Sequence, residues 1–496
     1  MLQYKETLSM QDLTYRSATQ LLEDIQERRI SCADLLEAFI ERIEQKNPDI
    51  NAIVATDFEA ARNRVRAADD ALIKGDNWGP LHGLPMTVKD TFEVNGMPCT
   101  AGLSNLKDHV PAQNADAVES LVDAGAVIIG KTNVPTGGND FQSYNDVYGQ
   151  TNNPWDFSRT PGGSSGGAAA ALAAGMTPLE IGSDLGGSIR LPAHFCGVFG
   201  HKSSFNIIPK QGHITVAPGL FPRDYASGID VGVAGPMARS AQDLDLAMDI
   251  LVRPDRAQRA AWQINLPLPR KKRLKDYSIG LWLDDPFCPV DASVGDVLQN
   301  LADRLAKAGA RVEDHKPDID FSHSHEVFVA LFSVVSAVEM PGGLYDRLAA
   351  EANEMSEQGD RARARYVKGV TQSHRNWLKM DLERQKLREK WAMYFDNKDA
   401  LLCPSAPIVA FSHDHSKIYD RTLLVNHEKR SYVNTVYTWS GLAGVAQLPA
   451  TAAPVGISRE GLPVGAQIVG PYLNDRTTIQ MAGFIEDEMG GFVPPF

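Results

Sequence analysis

The sequence predicts an α/β protein in which helices cover the faces of a β-sheet. From residue 84 onward, short apolar runs with the length of buried strands alternate with helical stretches, a rhythm typical of α/β folds. The runs are LPMTV (84–88), AVIIG (126–130), PLEIG (178–182), SIGLWL (278–283), ALLCP (400–404), LPATAAPVG (448–456) and GAQIVG (465–470). With 496 residues, of which 43% are hydrophobic and 22% charged, the chain can bury a large core.

The segment before the first predicted strand, residues 1–76, is predicted to be helical. Ser17 with Gln20 and Ser31 with Asp34 have the spacing of capping boxes that open two consecutive helices. The stretch 56–74, rich in Ala and Arg, continues this helical pattern.

A second helical segment is predicted over residues 324–395. Its large apolar residues fall on one helical stripe, which predicts a contact with the core. The stripe consists of Trp377, Met380, Leu387, Trp391 and Tyr394. Residues 254–277 are mostly polar and basic, and we interpret them as a solvated surface connection.

Composition excludes several classes of function. The net charge of −13 repels phosphate backbones, so we expect no nucleic-acid partner. The five cysteines include no CxxC pair, which argues against a disulfide framework and a cysteine-rich zinc site. No run of 18 apolar residues and no N-terminal apolar signal region occur. We therefore expect a cytoplasmic monomer or homodimer without a membrane partner.

Residues 162–200 carry the strongest chemical signal. They hold ten of the chain's 41 glycines, roughly threefold more than the average density, arranged in two clusters that also contain serines. The first cluster is Gly-Gly-Ser-Ser-Gly-Gly (162–167), and the second is Gly-Ser-Asp-Leu-Gly-Gly-Ser-Ile-Arg (182–190).

Three interpretations compete for these clusters. A phosphate-binding loop is disfavoured because neither cluster has the lysine of the Walker pattern. A structural glycine seam explains the glycines but not two neighbouring serine-bearing clusters. A serine nucleophile explains both, although the polar residues 152–161, which end in proline, disfavour the strand-borne elbow of α/β-hydrolases. No histidine stands out as a base, whereas a buried lysine remains possible.

The clusters closely resemble the signature of the amidase signature family. The resemblance extends to GPLHGLPMTVKDTFEVNGMPCTAG (79–102), GAVIIGKTNVP (125–135), YGQTNNPWD (148–156), LCPSAP (402–407) and the stretch 448–471. It implies one domain over residues 1–496, with a large mixed central sheet covered by helices on both faces and a helical insertion near 324–395.

The resemblance also implies a catalytic unit that needs no cofactor and no metal. Ser188 matches the nucleophile, Ser164 matches a bridging serine preceded by a cis peptide bond, and Lys89 matches the base. The backbone N–H groups of Leu185, Gly186, Gly187 and Ser188 match the oxyanion hole. Lys89 acts as a base only when it is neutral, so we expect it to be buried.

Supporting roles follow for six neighbouring residues. Gly137, Gly138 and Asn139 match a loop beside the acyl pocket, and Asp184 with Arg190 is expected to stiffen the nucleophile loop. Ser165 is either a hydrogen-bonding group of the site or a structural turn hydroxyl. Cys196 is interpreted as a small buried hydrophobe. The histidines of the HSH (323–325) and HDH (413–415) sequences are interpreted as structural or surface residues and not as metal ligands.

The expected function is hydrolysis of a carbon–nitrogen bond in a small amide. The stretch 200–206 departs from the usual family pattern, and residues 217–230 are expected to line or cover the pocket mouth. The apolar residues of 217–225 and 327–335, which include Phe328 and Phe332, suggest a neutral, partly hydrophobic amide, anilide, carbamate or ester. The alternative is the A subunit of a tRNA-dependent amidotransferase, which releases ammonia from glutamine. A non-catalytic scaffold is disfavoured because Lys89, Ser164 and Ser188 are all present.

Overall fold

The computed structural model describes residues 10–214, 230–338, 340–355 and 361–496. Its helices are α1 (Met10–Tyr15), α2 (Ala18–Gln26), α3 (Cys32–Ile50), α4 (Phe58–Ile73), α5 (Asp116–Asp123), α6 (Gly166–Ala173), α7 (Arg190–Cys196), α8 (Ala241–Leu251), α9 (Ala292–Lys307), α10 (Phe321–Ser333), α11 (Gly342–Glu354), α12 (Arg361–Val370), α13 (His374–Phe395), α14 (Tyr432–Val436), α15 (Thr438–Val445) and α16 (Asp475–Met489). Its strands are β1 (Ile53–Thr56), β2 (Pro85–Lys89), β3 (Val127–Thr132), β4 (Tyr144–Asn145), β5 (Gly149–Gln150), β6 (Leu179–Asp184), β7 (Phe199–Lys202), β8 (Val233–Ala238), β9 (Ser278–Leu281), β10 (Arg311–Asp314), β11 (Ala400–Pro404), β12 (Thr422–Val425), β13 (Glu428–Ser431), β14 (Ala450–Ile457) and β15 (Pro463–Val469).

An eight-stranded mixed sheet forms the centre of the fold. Its spatial order is β10-β9-β11-β15-β14-β7-β8-β6. Strands β10, β9 and β11 run parallel to one another, and every other neighbouring pair in this sheet is antiparallel. Helices α6 and α7 pack together on one face, whereas α8, α9 and α16 cover the other. The predicted α/β class with a large mixed sheet is confirmed.

A smaller sheet brings the lysine segment to the central sheet. Its order is β1-β3-β2, with β2 parallel to β3, and β2 also packs beside the edge strand β6. All five residues of β2 are buried. The ends of β2 and β6 therefore meet, and they carry Lys89 and Asp184.

The seven apolar runs all correspond to strands, but β7 and β8 were not predicted. Their sequences, FGHK and VAGPMA, contain glycine, proline and charged residues in place of a continuous apolar run. Both strands are nevertheless fully buried between neighbours, so tertiary pairing outweighs local propensity.

The N-terminal segment is largely helical, as predicted. Ser17 forms a complete capping box with Gln20, and the Ser31 side chain accepts a hydrogen bond from the backbone N–H of Asp34. The prediction that residues 1–76 are entirely helical is wrong at β1, which has the β-branched sequence IVAT and pairs with β3. Residues 1–9 lie outside the described residues.

Most of the described residues in the segment 324–395 are helical. It contains most of α10 together with α11, α12 and α13. On α13, Leu387, Trp391 and Tyr394 are buried, and Trp377 and Met380 pack partly buried against the core, which confirms the predicted stripe.

Residues 217–229, which were expected at the pocket mouth, lie outside the described residues. None of the helices in the described ranges combines the length and hydropathy needed to cross a bilayer.

Candidate active site

Lys89 is the last residue of β2 and is completely buried. Its Nζ donates a hydrogen bond to Ser164 Oγ over 2.7 Å and another to Ser183 Oγ over 2.9 Å. Burial lowers the pKa of Lys89 to about 7, although the negative charges of Asp184 and Glu180 oppose this shift. A substantial fraction of the amine is therefore neutral near pH 7.

Asp90 does not neutralise Lys89, although the two residues are adjacent in sequence. Its carboxylate accepts hydrogen bonds from Thr100 Oγ1 over 2.7 Å and from Lys131 Nζ over 3.3 Å. Successive side chains of an extended backbone point to opposite faces, so the carboxylate lies away from the Lys89 amine.

The first glycine–serine cluster leads directly into α6. The Gly163–Ser164 peptide bond is cis, as the resemblance implies. A side chain at Gly163 is excluded, because a Cβ atom there would lie 2.6 Å from the carbonyl oxygen of Asp140. The backbone N–H of Ser165 donates to the carbonyl oxygen of Ser188 over 3.1 Å, and its hydroxyl donates to the Ser183 carbonyl oxygen over 3.4 Å. The cluster thus ties together the two loops that carry the predicted serines.

The second cluster forms the turn between β6 and α7 and presents Ser188. Gly187 has φ +112°, and a Cβ atom there would lie 2.5 Å from Ser440 Oγ, so glycine is required. The Gly187 N–H donates to Asp184 Oδ1 over 2.9 Å. This differs from the expectation that Gly187 belongs to the oxyanion hole, because its donor already has a partner. Leu185, Gly186 and Ser188 remain as the candidate donors.

Asp184 and Arg190 form a buried ion pair beneath this turn. The Arg190 Nη2–Asp184 Oδ1 distance is 2.8 Å, and Arg190 Nε donates to Asp184 Oδ2 over 3.0 Å. Burial alone would raise the pKa of Asp184, but the Arg190 guanidinium overcomes this effect and lowers it to about 2. Asp184 also accepts from the N–H of Ile189 over 3.1 Å, so the pair holds the backbone around Ser188.

The loop 137–141 lies beside Ser164 and is held from across the molecule. Asp140 accepts a hydrogen bond from Arg421 Nη1 over 2.6 Å and another from the Tyr432 hydroxyl over 2.7 Å. Gly138 lies next to Ser164: a Cβ atom added at Gly138 would lie 3.7 Å from Ser164 Oγ. Asn139 lines the same cavity.

One cavity is lined by Lys89, Ser164, Ser188 and the loop 137–141. We call Lys89, Ser164 and Ser188 its floor. We call the apolar side chains that face them its wall, which comprises Phe141, Phe332, Val335, Met340, Leu344, Ile418, Val433 and Tyr437. Phe332 lies in this wall, whereas Phe328 is fully buried against Gly441 and Gly444. Of the two phenylalanines considered from the sequence, Phe332 faces the cavity and Phe328 belongs to the core.

The other residues singled out from the sequence lie apart from the floor. Cys196 is buried in α7, and burial raises the pKa of its thiol. His323 contacts Glu383, and His325 is enclosed near the rings of Phe287 and Tyr437. In the described ranges, no group of three or more His, Cys, Asp or Glu side chains is arranged to hold a metal ion.

Three participants in the site were not predicted from the sequence. Ser183 binds Lys89 but lies between Gly182 and Asp184 without a pattern that assigns it a role. Arg421 is 281 residues from Asp140, and no local pattern connects them. Glu180 did carry a signal, since it is a charged residue inside the apolar run PLEIG, which was predicted to be a buried strand.

Comparisons with known proteins identify the family of the chain. A family model described as Amidase matches residues 34–479. Fatty-acid amide hydrolase 2 of Homo sapiens is 30% identical over 508 residues, which cover 97% of this chain and 90% of that protein. The A subunit of the glutamyl-tRNA(Gln) amidotransferase of Saccharolobus solfataricus is 30% identical over 486 residues, covering 94% of this chain and 95% of that protein. The structure of a bacterial aryl acylamidase of the amidase signature family is similar with a TM-score of 0.77 at 25% identity, covering 96% of each chain. The chain therefore belongs to the amidase signature family and is an amidase hydrolase.

Proposed function

We propose that the protein cleaves a neutral, partly hydrophobic amide through an acyl-enzyme on Ser188. The observation that carries this proposal is the 2.7 Å hydrogen bond between a completely buried Lys89 amine and Ser164, in the cavity that also contains Ser188. An amide is a poor electrophile with a poor leaving group, so its hydrolysis needs both an activated nucleophile and a proton donor.

The floor supplies both functions through one proton path. Neutral Lys89 takes the Ser188 hydroxyl proton by way of Ser164 while Ser188 Oγ attacks the carbonyl carbon. The N–H groups of Leu185, Gly186 and Ser188 stabilise the oxyanion. The same proton then returns through Ser164 to the amine nitrogen as the carbon–nitrogen bond breaks. Water attacks the ester on Ser188, which releases the acid and restores the hydroxyl.

The wall supports the choice of substrate class. Its aromatic and aliphatic side chains favour an apolar substituent by removing its surface from water. The relatives named as a fatty-acid amide hydrolase and an aryl acylamidase agree with a substrate of this kind. Anilides, carbamates and some esters present the same carbonyl to Ser188 and belong to the same proposal.

The alternative is the A subunit of an amidotransferase, which the Saccharolobus solfataricus relative supports. Glutamine carries an α-ammonium and an α-carboxylate group, whose burial requires charged partners. The wall contains no charged side chain and therefore favours an uncharged substituent, although Asp140 and Lys210 elsewhere in the cavity lining are charged groups that a glutamine could approach. Release of ammonia from glutamine that is faster than hydrolysis of every uncharged amide tested would reverse this preference.

The test compares Ser188→Ala with the parent on chromogenic amides, anilides, carbamates and esters. We expect Ser188→Ala to lose hydrolysis and labelling by a fluorophosphonate, with unchanged thermal unfolding, because a single hydroxyl is removed. Ser336→Ala, which changes another serine that lines the cavity, is the matched control and should keep both properties. Labelling or near-normal turnover in Ser188→Ala would contradict the mechanism.

A further inference from the structure

Glu180 is a buried glutamate in β6 that the mechanism above does not use. Its side chain is 1% exposed, and its partner across the β6–β8 ladder is the apolar Met237. Glu180 Oε1 accepts a hydrogen bond from Thr132 Oγ1 over 2.7 Å. Its Oε2 atom is enclosed and forms no hydrogen bond of normal geometry with the described residues. The Thr87 side chain and the Ile181 backbone also favour the ionised carboxylate. A glutamate buried inside an apolar strand still calls for a physical explanation.

The strand register places this carboxyl group beside Lys89. Thr132 in β3 is the register partner of Lys89 in β2, and paired residues of neighbouring strands project to the same face. The Thr132 hydroxyl that holds Glu180 is therefore a neighbour of the Lys89 side chain. Both side chains therefore flank Thr132, and the negative charge of Glu180 raises the pKa of Lys89 against the effect of burial.

Three segments contribute further charged or titratable groups around Glu180 and Lys89. Strand β6 contributes Asp184, β3 contributes Lys131, and the segment before residue 215 contributes His213. Helix α6, which packs against both β2 and β6, contributes no titratable side chain, since its sequence is GGAAAALA.

Asp184 and Glu180 differ in how firmly their charges are fixed. Asp184 is paired with Arg190 and keeps a pKa of about 2, so it is ionised at every working pH. Burial raises the pKa of Glu180 to about 7, although its hydrogen bond from Thr132 acts in the opposite direction. Glu180 is thus the neighbouring carboxyl group whose charge changes in the pH range in which Lys89 titrates.

We propose that Glu180 is a positioning residue for the base: Glu180 and Lys89 titrate as one coupled buried pair, and the charge of Glu180 sets the pH at which Lys89 becomes neutral. When Glu180 is ionised it stabilises the ammonium form, and when it is protonated the amine is released as a base at lower pH. This inference rests on the proposed function of Lys89.

The test is the pH dependence of kcat/KM and of fluorophosphonate labelling in Glu180→Gln. The amide oxygen of Gln keeps an acceptor for Thr132 while the negative charge is removed. We expect the acidic limb of both profiles to move to lower pH by about one unit, because the ammonium loses its stabilising anion. Thr132→Val removes the hydroxyl that favours the ionised carboxylate, so it should move the limb in the same direction by a smaller amount.

Glu486→Gln is the matched control. Glu486 in α16 is also largely buried, burial raises its pKa to about 7 as well, and it binds the N–H of Ala241, away from Lys89. The acidic limb of the pH profile of Glu486→Gln should coincide with that of the parent. An unmoved acidic limb in Glu180→Gln would overturn the inference. If Glu180→Gln does not fold, an unmoved acidic limb in Thr132→Val would overturn it instead. Activity that survives in Lys89→Ala would instead refute the proposed base, so the two failures are distinguishable.

Discussion

The floor and the wall of the cavity differ in their chemical groups and in how closely they are packed. The floor consists of hydroxyl and amine groups on backbone packed so closely that Gly163 and Gly187 leave no space for a Cβ atom. The wall consists of apolar side chains, several of them on the helical segment 324–395, and Leu344 is still 37% exposed. In the proposed mechanism, the reaction therefore takes place where backbone positions are fixed, and we expect substrate selection where side chains can change at little cost in folding stability.

Loss of the proposed base in the floor should lower the rate of amide hydrolysis more than a change in the wall. Lys89→Ala should lower amide hydrolysis by roughly 10³-fold or more, because attack and leaving-group protonation both lose their proton carrier. Activated esters should lose less, since their leaving groups need little protonation. In the parent, kcat/KM should rise with pH through about 7 to a plateau, because burial lowers the pKa of Lys89 to that value and the neutral amine is the active form.

The exposed Lys386→Ala on α13 is the control and should behave as the parent. An unchanged amide rate in Lys89→Ala would remove Lys89 from the mechanism. Equal losses for amides and esters would show that it serves mainly in the attack.

A change at the ion pair between Arg421 and Asp140, which holds the loop beside Ser164, should lower activity by an intermediate amount. Arg421→Ala removes the cationic partner of Asp140 and leaves the Tyr432 hydroxyl as a remaining long-range hydrogen-bond donor, so we expect the loop beside Ser164 to loosen. We expect kcat/KM to fall roughly 10- to 100-fold, which corresponds to about 1.4 to 2.7 kcal/mol. Steady-state kinetics and thermal unfolding measure both consequences.

Arg62→Ala is the control, because Arg62 forms an ion pair with Glu37 on an exposed surface, through two hydrogen bonds. Exposed ion pairs contribute little, so its removal should leave thermal unfolding and kinetics nearly unaltered. If Arg421→Ala behaves like Arg62→Ala, the loop does not depend on this ion pair.

A change in the wall should give the smallest and most selective effect. Leu344→Ser should raise KM for long or aromatic substrates about three- to tenfold, since part of one leucine side chain no longer contributes apolar contact. A small aliphatic amide should be hydrolysed as by the parent. Leu378→Ser on α13, 46% exposed and outside the cavity lining, should leave both substrates unaffected. An equal loss for small and large amides would place Leu344 outside substrate selection.

The sequence predicted the floor more completely than the wall for a physical reason. Lys89, Ser164 and Ser188 were assigned through the resemblance of their local segments to the amidase signature. The structure places all three in the lining of one cavity, and their catalytic roles stay predictions. The wall and Arg421 depend on contacts between segments far apart in the chain, and such contacts leave no local pattern. Strand β1 was missed because its pairing with β3, and not its helical surroundings, decides its conformation.

Glu180 falls between these two cases. A charge within a predicted buried strand was visible in the sequence, but its meaning depends on Thr132 and on the register between β2 and β3. The unusual charge marked Glu180 in the sequence, and the strand pairing showed that Lys89 is its neighbour through Thr132.

The burial of Lys89 also has a thermodynamic consequence for the whole protein. An unfolded lysine titrates near 10.4, whereas the pKa of Lys89 in the folded chain is about 7, so the folded state binds fewer protons between these values. Linkage makes this shift a destabilisation on the order of 4 kcal/mol at pH 7, which is largest below pH 7 and fades as the pH approaches 10.4. The rest of the fold must supply that free energy from its packing. An apolar residue at position 89 would relieve the penalty and remove the proposed base, so in this mechanism catalytic activity and folding stability are opposed at one side chain.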